Sequence, residues 1–299
     1  MPKIEILYFT DPYCTWCWGS EPILRKIKEV YGEQVKITYI MGGLVEDMES
    51  FYDPLNDISR AEQVAPHWLS ASERHGMPVS GKLWLSDPPR STFPANIAYH
   101  AAKLQSEEKA EKFLRRMREA AAAEDKNISR LEVLVELAEE VGLDAERFVR
   151  DFTGREAKDA FLKDLAVMGE ALGLKAPEKF TSEAEKAFYR DLKYARNLGV
   201  TGFPTFLVRN EKGEGIWVTG YHPFSTFEMV FEKLSPGLKK RKPQSILAFI
   251  EKYGRVATRE VAEVFDLTDE EALAKLEALE KEGKIRKLRA GNGYFWEIV

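Results

Sequence analysis

Asp11-Pro12-Tyr13-Cys14-Thr15-Trp16-Cys17-Trp18 decides the fold of this chain, because it joins an apolar run to a helical pattern with two thiols at the junction. Upstream, residues 4–9 read as a short strand. Downstream, Ile23, Leu24, Ile27, Val30 and Tyr31 recur at three- and four-residue spacing. Asp11 is the candidate cap and Pro12 the helix start, so one helix is expected to run to about Tyr31, where Gly32 stops it. Pro22 falls inside that helix and is expected to kink it. Val35, Ile37, Tyr39 and Met41 then alternate with less buried positions, as a strand does. Strand, helix and strand within some forty residues form a right-handed, parallel βαβ unit.

Two cysteines three apart in a first helical turn can close a disulfide without unwinding the helix. The first faces free backbone N–H groups and the positive end of the helix dipole, which favours the thiolate. Cys14 is therefore the expected nucleophile, and Cys17 the thiol that resolves a mixed disulfide. A Cys-x-x-Cys pair is also half of a zinc site. No third cysteine exists, and His67, His75, His100 and His222 show no paired spacing, so neither metal nor cofactor is expected. Two inert buried cysteines are the duller alternative.

Residues 44–198 carry no strong strand signal. The early part, rich in proline, reads as irregular with short helices, and the later part as helices over 96–104, 107–123, 129–141, 144–153, 157–172 and 182–197. Strands return at 204–209 and 216–219, with a closing helix at 225–234. The order βαβ, helical stretch, ββα is an α/β thioredoxin fold with a long helical insertion, over residues 1–235. In that fold the proline before the returning strand, Pro204 in Gly199-Val-Thr-Gly-Phe203-Pro204-Thr205, is cis and lies against the cysteines. Phe203 and Pro204 are thus candidate substrate-binding residues, offering main-chain groups to an extended partner. Trp16 is assigned to the same groove, and Trp18 to the core.

The Pro236 to Pro243 stretch, with Lys239-Lys240-Arg241-Lys242, reads as a linker. Residues 244–299 follow as helices over 244–253, 258–265 and 269–282, then a hairpin around Gly291-Asn292-Gly293. Three helices and a hairpin have a winged-helix-like layout. Its candidate recognition helix carries Asp269, Glu270, Glu271, Glu277, Glu280 and Glu282 against Lys275 and Lys281, which phosphates would repel. DNA is therefore not an expected partner, and a docking or dimerising role is.

Composition agrees with a globular chain: 299 residues, 44% hydrophobic, 31% charged, net charge −5. The first residues are too short and too charged for a signal peptide, and no run of about 18 apolar residues spans a membrane. Two lone cysteines suit a reducing compartment, and the cytoplasm is the expected location.

Residues 4–234 resemble the DsbA-like thioredoxin family, in particular its cytoplasmic FrnE-type branch. The likeness rests on Asp11-Pro12, Cys14-Thr15-Trp16-Cys17-Trp18, residues 131–144, Gly199 to Thr205, and Pro22 five residues after Cys17. Many thioredoxins place a proton-relaying carboxylate six residues before the first cysteine. This chain has Tyr8 there, leaving Asp11, Glu21 or water as stand-ins. Thr15-Trp16 contains no histidine, which implies a less acidic thiol than in the strong oxidases, and so a reductase or isomerase. Residues 246–296, on Ile250-Glu251-Lys252-Tyr253-Gly254-Arg255-Val256-Ala257 and Tyr294-Phe295-Trp296, are similar to the end of the YjbH family. Those proteins are DsbA-like adaptors that deliver the regulator Spx to the ClpXP protease. Two functions are implied. One is a thiol–disulfide oxidoreductase or isomerase acting on protein or small-molecule disulfides through Cys14 and Cys17. The other is an adaptor presenting a client protein to a ClpXP-like protease. Kappa-class glutathione chemistry shares the inserted fold, but those proteins have serine in place of the cysteine pair.

Overall fold

The computed structural model describes residues 2–54, 56–153 and 202–299. Strand β1 (Ile4–Thr10) lies inside a four-stranded sheet of order β2-β1-β3-β4. Its nearly unbroken apolar run suits a strand covered on both faces. β2 (Val35–Met41) pairs with it in parallel, Ile4 opposite Val35 and Thr10 opposite Met41. β3 (Thr205–Asn210) pairs antiparallel on the other side, Tyr8 opposite Phe206, and β4 (Gly215–Thr219) follows antiparallel to β3. The expected α/β thioredoxin architecture is present.

The single helix expected after β1 is two helices. α1 (Thr15–Gly19) and α2 (Glu21–Tyr31) are separated at Ser20, and Pro22 lies in the first turn of α2. A proline there lacks only an N–H that has no helical partner anyway, so the chain breaks before it rather than bending around it. Gly19 must be glycine, because a Cβ would stand 2.5 Å from the His75 ring.

Between β2 and β3 lie α3 (Val64–His75), α4 (Leu83–Ser86), α5 (Phe93–Gln105), α6 (Glu107–Ala123), α7 (Leu131–Glu140) and α8 (Ala145–Thr153). The proline-rich part thus contains a twelve-residue helix, α3, longer than expected. Ser106 caps α6, its Oγ accepting from the Lys109 N–H at 3.3 Å. The buried Ala120 to Ala123 end of α6 lets backbones approach closely. The helices expected over 157–172 and 182–197 lie outside the described residues.

After β4, α9 (Phe224–Leu234) covers the sheet, Phe227 packing edge-on against Phe206. Residues 236–243 then cross to α2 with several anchors. Arg241 N–H donates to the Val30 carbonyl at 2.8 Å, and the Gln34 amide holds Lys239 through both its carbonyl (2.7 Å) and its N–H (3.0 Å). α10 (Ile246–Tyr253), β5 (Val256–Ala257), α11 (Thr258–Val264), α12 (Asp269–Lys281), β6 (Ile285–Ala290) and β7 (Gly293–Ile298) complete the chain, with a three-stranded sheet of order β5-β7-β6.

This C-terminal unit has a core of its own, with Phe249, Ile250, Val261, Leu276, Ile285 and Trp296. Its Ala257, Ala290 and Phe295 instead join the core of the main body. The hairpin tip is sewn into that body: Gly291 N–H donates to the Ala123 carbonyl (3.1 Å) and Asn292 N–H to the Val79 carbonyl (2.9 Å). Asn292 Oδ1 accepts from Val79 N–H (2.8 Å), and its Nδ2 donates to Ser72 Oγ (3.0 Å). Gly291 has φ +50°, and a Cβ there would meet the Val79 carbonyl carbon at 2.4 Å. Among the described residues no helix is long and apolar enough to cross a membrane.

Candidate functional site

The site forms where β1 ends and α1 begins. Cys14, not Asp11, is the residue that caps α1, its Sγ accepting from the Cys17 N–H at 3.3 Å. The Cys14 thiol donates to the Phe203 carbonyl at 3.4 Å, and the Phe203–Pro204 peptide is cis, as expected. Four of the five residues singled out in the sequence therefore meet here. The fifth, Trp16, lines a cavity of about 180 Å³ together with Tyr13, Cys14, Met48, Trp84 and Phe203. Trp18 is core, with its Nε1–H donating to the Pro78 carbonyl at 2.9 Å. Both cysteines are free thiols; Cys14 is 5% exposed and Cys17 fully buried.

Burial works against the activation expected at Cys14. Burial pushes its thiol well up, and the neighbouring Cys17 adds to the rise. A helix of five residues supplies too few aligned peptides to offset that loss of water. Cys17 moves the other way. Burial would raise it, but the Cys14 thiol, the Arg118 guanidinium and the Thr10 hydroxyl outweigh burial and hold it down.

Neither candidate carboxylate, Asp11 or Glu21, is poised as a relay, and Tyr8 holds the relay's usual place. Tyr8 is fully buried, stacked on Phe206 at 4.6 Å, with its hydroxyl donating to the Cys17 carbonyl at 3.4 Å. Asp11 is buried and accepts from Tyr13 N–H (2.8 Å), Leu44 N–H (2.7 Å), Thr92 Oγ1 (2.9 Å) and Asn96 Nδ2 (2.7 Å). Burial raises its carboxyl, against the pull of those four donors. It ties the Cys14 turn to α5 and to the loop after β2. The start of α5 thus borders the site through Thr92 and Asn96. Glu21 is paired with Arg118, which helps hold its carboxyl down in spite of burial.

Two participants carry no signal in the sequence. His75 packs edge-on against Trp16 at 5.9 Å and approaches Thr15 Oγ1 at 3.4 Å. Its Nδ1 accepts from Met77 N–H, and burial, helped by the Arg259 guanidinium, lowers it to about 4. It is uncharged at neutral pH and gives the thiols no cation. Arg118, whose side chain is fully buried on α6, is the cation beneath the cysteines, 5.7 Å from the Tyr8 ring. One arginine among the three of α6 does not announce that it will turn inward.

Comparison with known proteins bears on what this site serves. The family model described as Thioredoxin matches residues 7–175, and that described as FaeA-like protein matches residues 242–299. The ClpXP adapter protein SpxH of Halalkalibacterium halodurans is 31% identical, over 99% of this chain and 89% of that protein. Its namesake from Bacillus subtilis is 29% identical over the same shares. Among solved structures, the cytosolic disulfide reductase DsbM from Pseudomonas aeruginosa superposes with a TM-score of 0.51 at 23% identity, over 78% of this chain and 93% of that one. At that identity the likeness shows the fold alone. The relatives that run nearly end to end are named for an adapter role, not for turnover. They overturn the expectation of a dedicated thiol–disulfide oxidoreductase or isomerase, and the affinity to the FrnE-type branch gives way with it. Its thioredoxin body and its full-length match, C-terminal unit included, together show that the chain belongs to the family of the ClpXP adapter protein SpxH.

Proposed function

We propose that this protein is an adapter in the cytoplasm that seats a client protein on the face carrying Cys14, Trp16 and Phe203–Pro204 and presents it to a ClpXP-type protease. The observation that carries this reading is the extent of the match to adapters, which takes in the C-terminal unit as well as the thioredoxin body. The geometry suits a seat. A cavity opens beside Cys14 next to a main-chain segment, and the thiols behind it are buried, that of Cys14 donating to the Phe203 carbonyl. We take residues 244–299 as a winged-helix-like docking module joined through 236–243. Two observations support docking over DNA reading: the acidic exposed start of α12, and a hairpin tip occupied by Val79 and Ala123.

The test is degradation of Spx by purified ClpXP with and without this protein. Acceleration of severalfold is expected, and the Cys14→Ser, Cys17→Ser double variant should retain it. Spx turnover unchanged by the wild-type chain would overturn the adapter reading.

A further inference from the structure

The cavity beside Cys14 encloses about 180 Å³ and is walled largely by rings and aliphatic chains, among them Tyr13, Met48, Phe51, Ile58, Trp68 and Trp84. Most polar groups on its wall are already engaged. Exposed Asn56 gives its Nδ2 to Asp53 Oδ2 at 2.7 Å. The Tyr13 hydroxyl donates to Asn127 Oδ1 (2.9 Å), the Thr92 hydroxyl to Asp11 Oδ2 (2.9 Å), and the Cys14 thiol to the Phe203 carbonyl (3.4 Å). Thr15 Oγ1 lies 3.4 Å from the His75 ring nitrogen. Trp84, on α4, is the exception. It is 3% exposed, and its buried Nε1–H has no acceptor among the described residues. The ring is wedged in place, with Trp68 edge-on at 5.1 Å and Tyr13 edge-on at 5.9 Å. A buried donor left unpaired is costly, and an oxygen brought into the cavity would relieve that cost.

We propose that this cavity is an anchor pocket for one tyrosine side chain of the client, with Trp84 Nε1–H donating to the phenol oxygen. The inference rests on the adapter reading for the presence of a client. The volume suits a single ring, since an engineered cavity of about 150 Å³ takes up benzene. The chemistry then selects which ring. Phenylalanine and leucine would fill the space but leave the indole N–H unpaired. Tryptophan would bring a second donor to face the first. A charged side chain would give up its water for one hydrogen bond. Tyrosine joins an apolar body to a terminal oxygen that accepts. Gly202 and Phe203 border the same cavity, so the client's main chain would run beside them while the side chain fills the pocket.

Two small probes, p-cresol and toluene, test the pocket on the whole chain. Each is titrated by NMR and read at the Trp84 indole N–H. p-Cresol is expected to bind and to move that resonance downfield, as a new acceptor does, and toluene is not. In Trp84→Phe the dissociation constant of p-cresol should rise about tenfold relative to that of toluene, as loss of a buried hydrogen bond implies. Saturating p-cresol should also slow adapter-dependent degradation of Spx severalfold, while the basal rate of ClpXP without this protein stays unchanged. No binding of p-cresol, or the same movement of the N–H resonance with both probes, would overturn the pocket, and neither result needs the variant to fold. An unchanged affinity ratio in folded Trp84→Phe would overturn it too. Spx turnover accelerated equally with and without p-cresol would overturn the tyrosine anchor and leave the adapter reading standing. Spx turnover that the wild-type chain does not accelerate overturns the adapter reading instead, and the fragment titration still decides the pocket.

Discussion

Two buried carboxylates, Asp11 and Glu260, hold two regions of this molecule together on opposite plans. Asp11, at the cysteine end, is met by four neutral donors from neighbouring loops and helices. Glu260, at the junction with the C-terminal unit, is met by the guanidinium groups of Arg25 and Arg115 and one backbone N–H. The four donors favour the ionised carboxyl, and burial raises Asp11 against them. At Glu260, losing one charge strands the others in low dielectric. The cysteine end is therefore held by neutral hydrogen bonds, and the junction by charges that cannot be removed singly.

The most direct way to break this contrast is Glu260→Ala, which leaves Arg25 and Arg115 without their main partner. A loss of about 3–5 kcal/mol is expected in denaturant unfolding; a loss below about 1 kcal/mol would mean that the junction relaxes as readily as a surface pair. Acid sharpens the other side. His75 is lowered to about 4 from an ordinary value of 6.5, so between those values the unfolded chain binds the proton that the folded chain refuses. Its contribution, roughly 3 kcal/mol, is present above pH 6.5 and is lost as pH falls toward 4. His75→Asn should flatten that part of the stability–pH curve, and an unchanged slope would assign the acid loss elsewhere. The smallest effect is expected at the hairpin tip. Gly291→Ala adds a Cβ against the Val79 carbonyl and should cost about 1–3 kcal/mol, with loss of exchange protection confined to residues near Val79 and Asn292. A global loss of protection instead would mean that the tip is as critical as Glu260.

What can be read from the sequence, and what cannot, follows the same division. The cysteine pair, the βαβ start, the ββα end, the cis proline and the hairpin around Gly291-Asn292-Gly293 all announce themselves within a few residues, through spacing and turn chemistry. Arg115 and Glu260 lie 145 residues apart, and nothing periodic links them. His75 shows in the sequence only its lack of paired metal spacing, since its packing under Gly19 comes from a fold contact. The break at Ser20 is hidden because Pro22 is compatible with either a kinked helix or a helix start. Function is least legible of all. A Cys-x-x-Cys at a strand–helix junction points to exchange chemistry on local grounds, while the adapter likeness that the full-length relatives bear out shows only at 250–257 and 294–296, far from the cysteines.

The hairpin tip also has a consequence for how the chain is made. Val79 and Asn292 exchange hydrogen bonds across 213 positions. A ribosome adding about 5–20 residues per second needs roughly ten to forty seconds to cover that distance. Over that interval Val79 lacks its hairpin partner, and Ala123, made later, lacks its own until Gly291 follows. The last strands to be synthesised are thus the ones that close the middle of the protein.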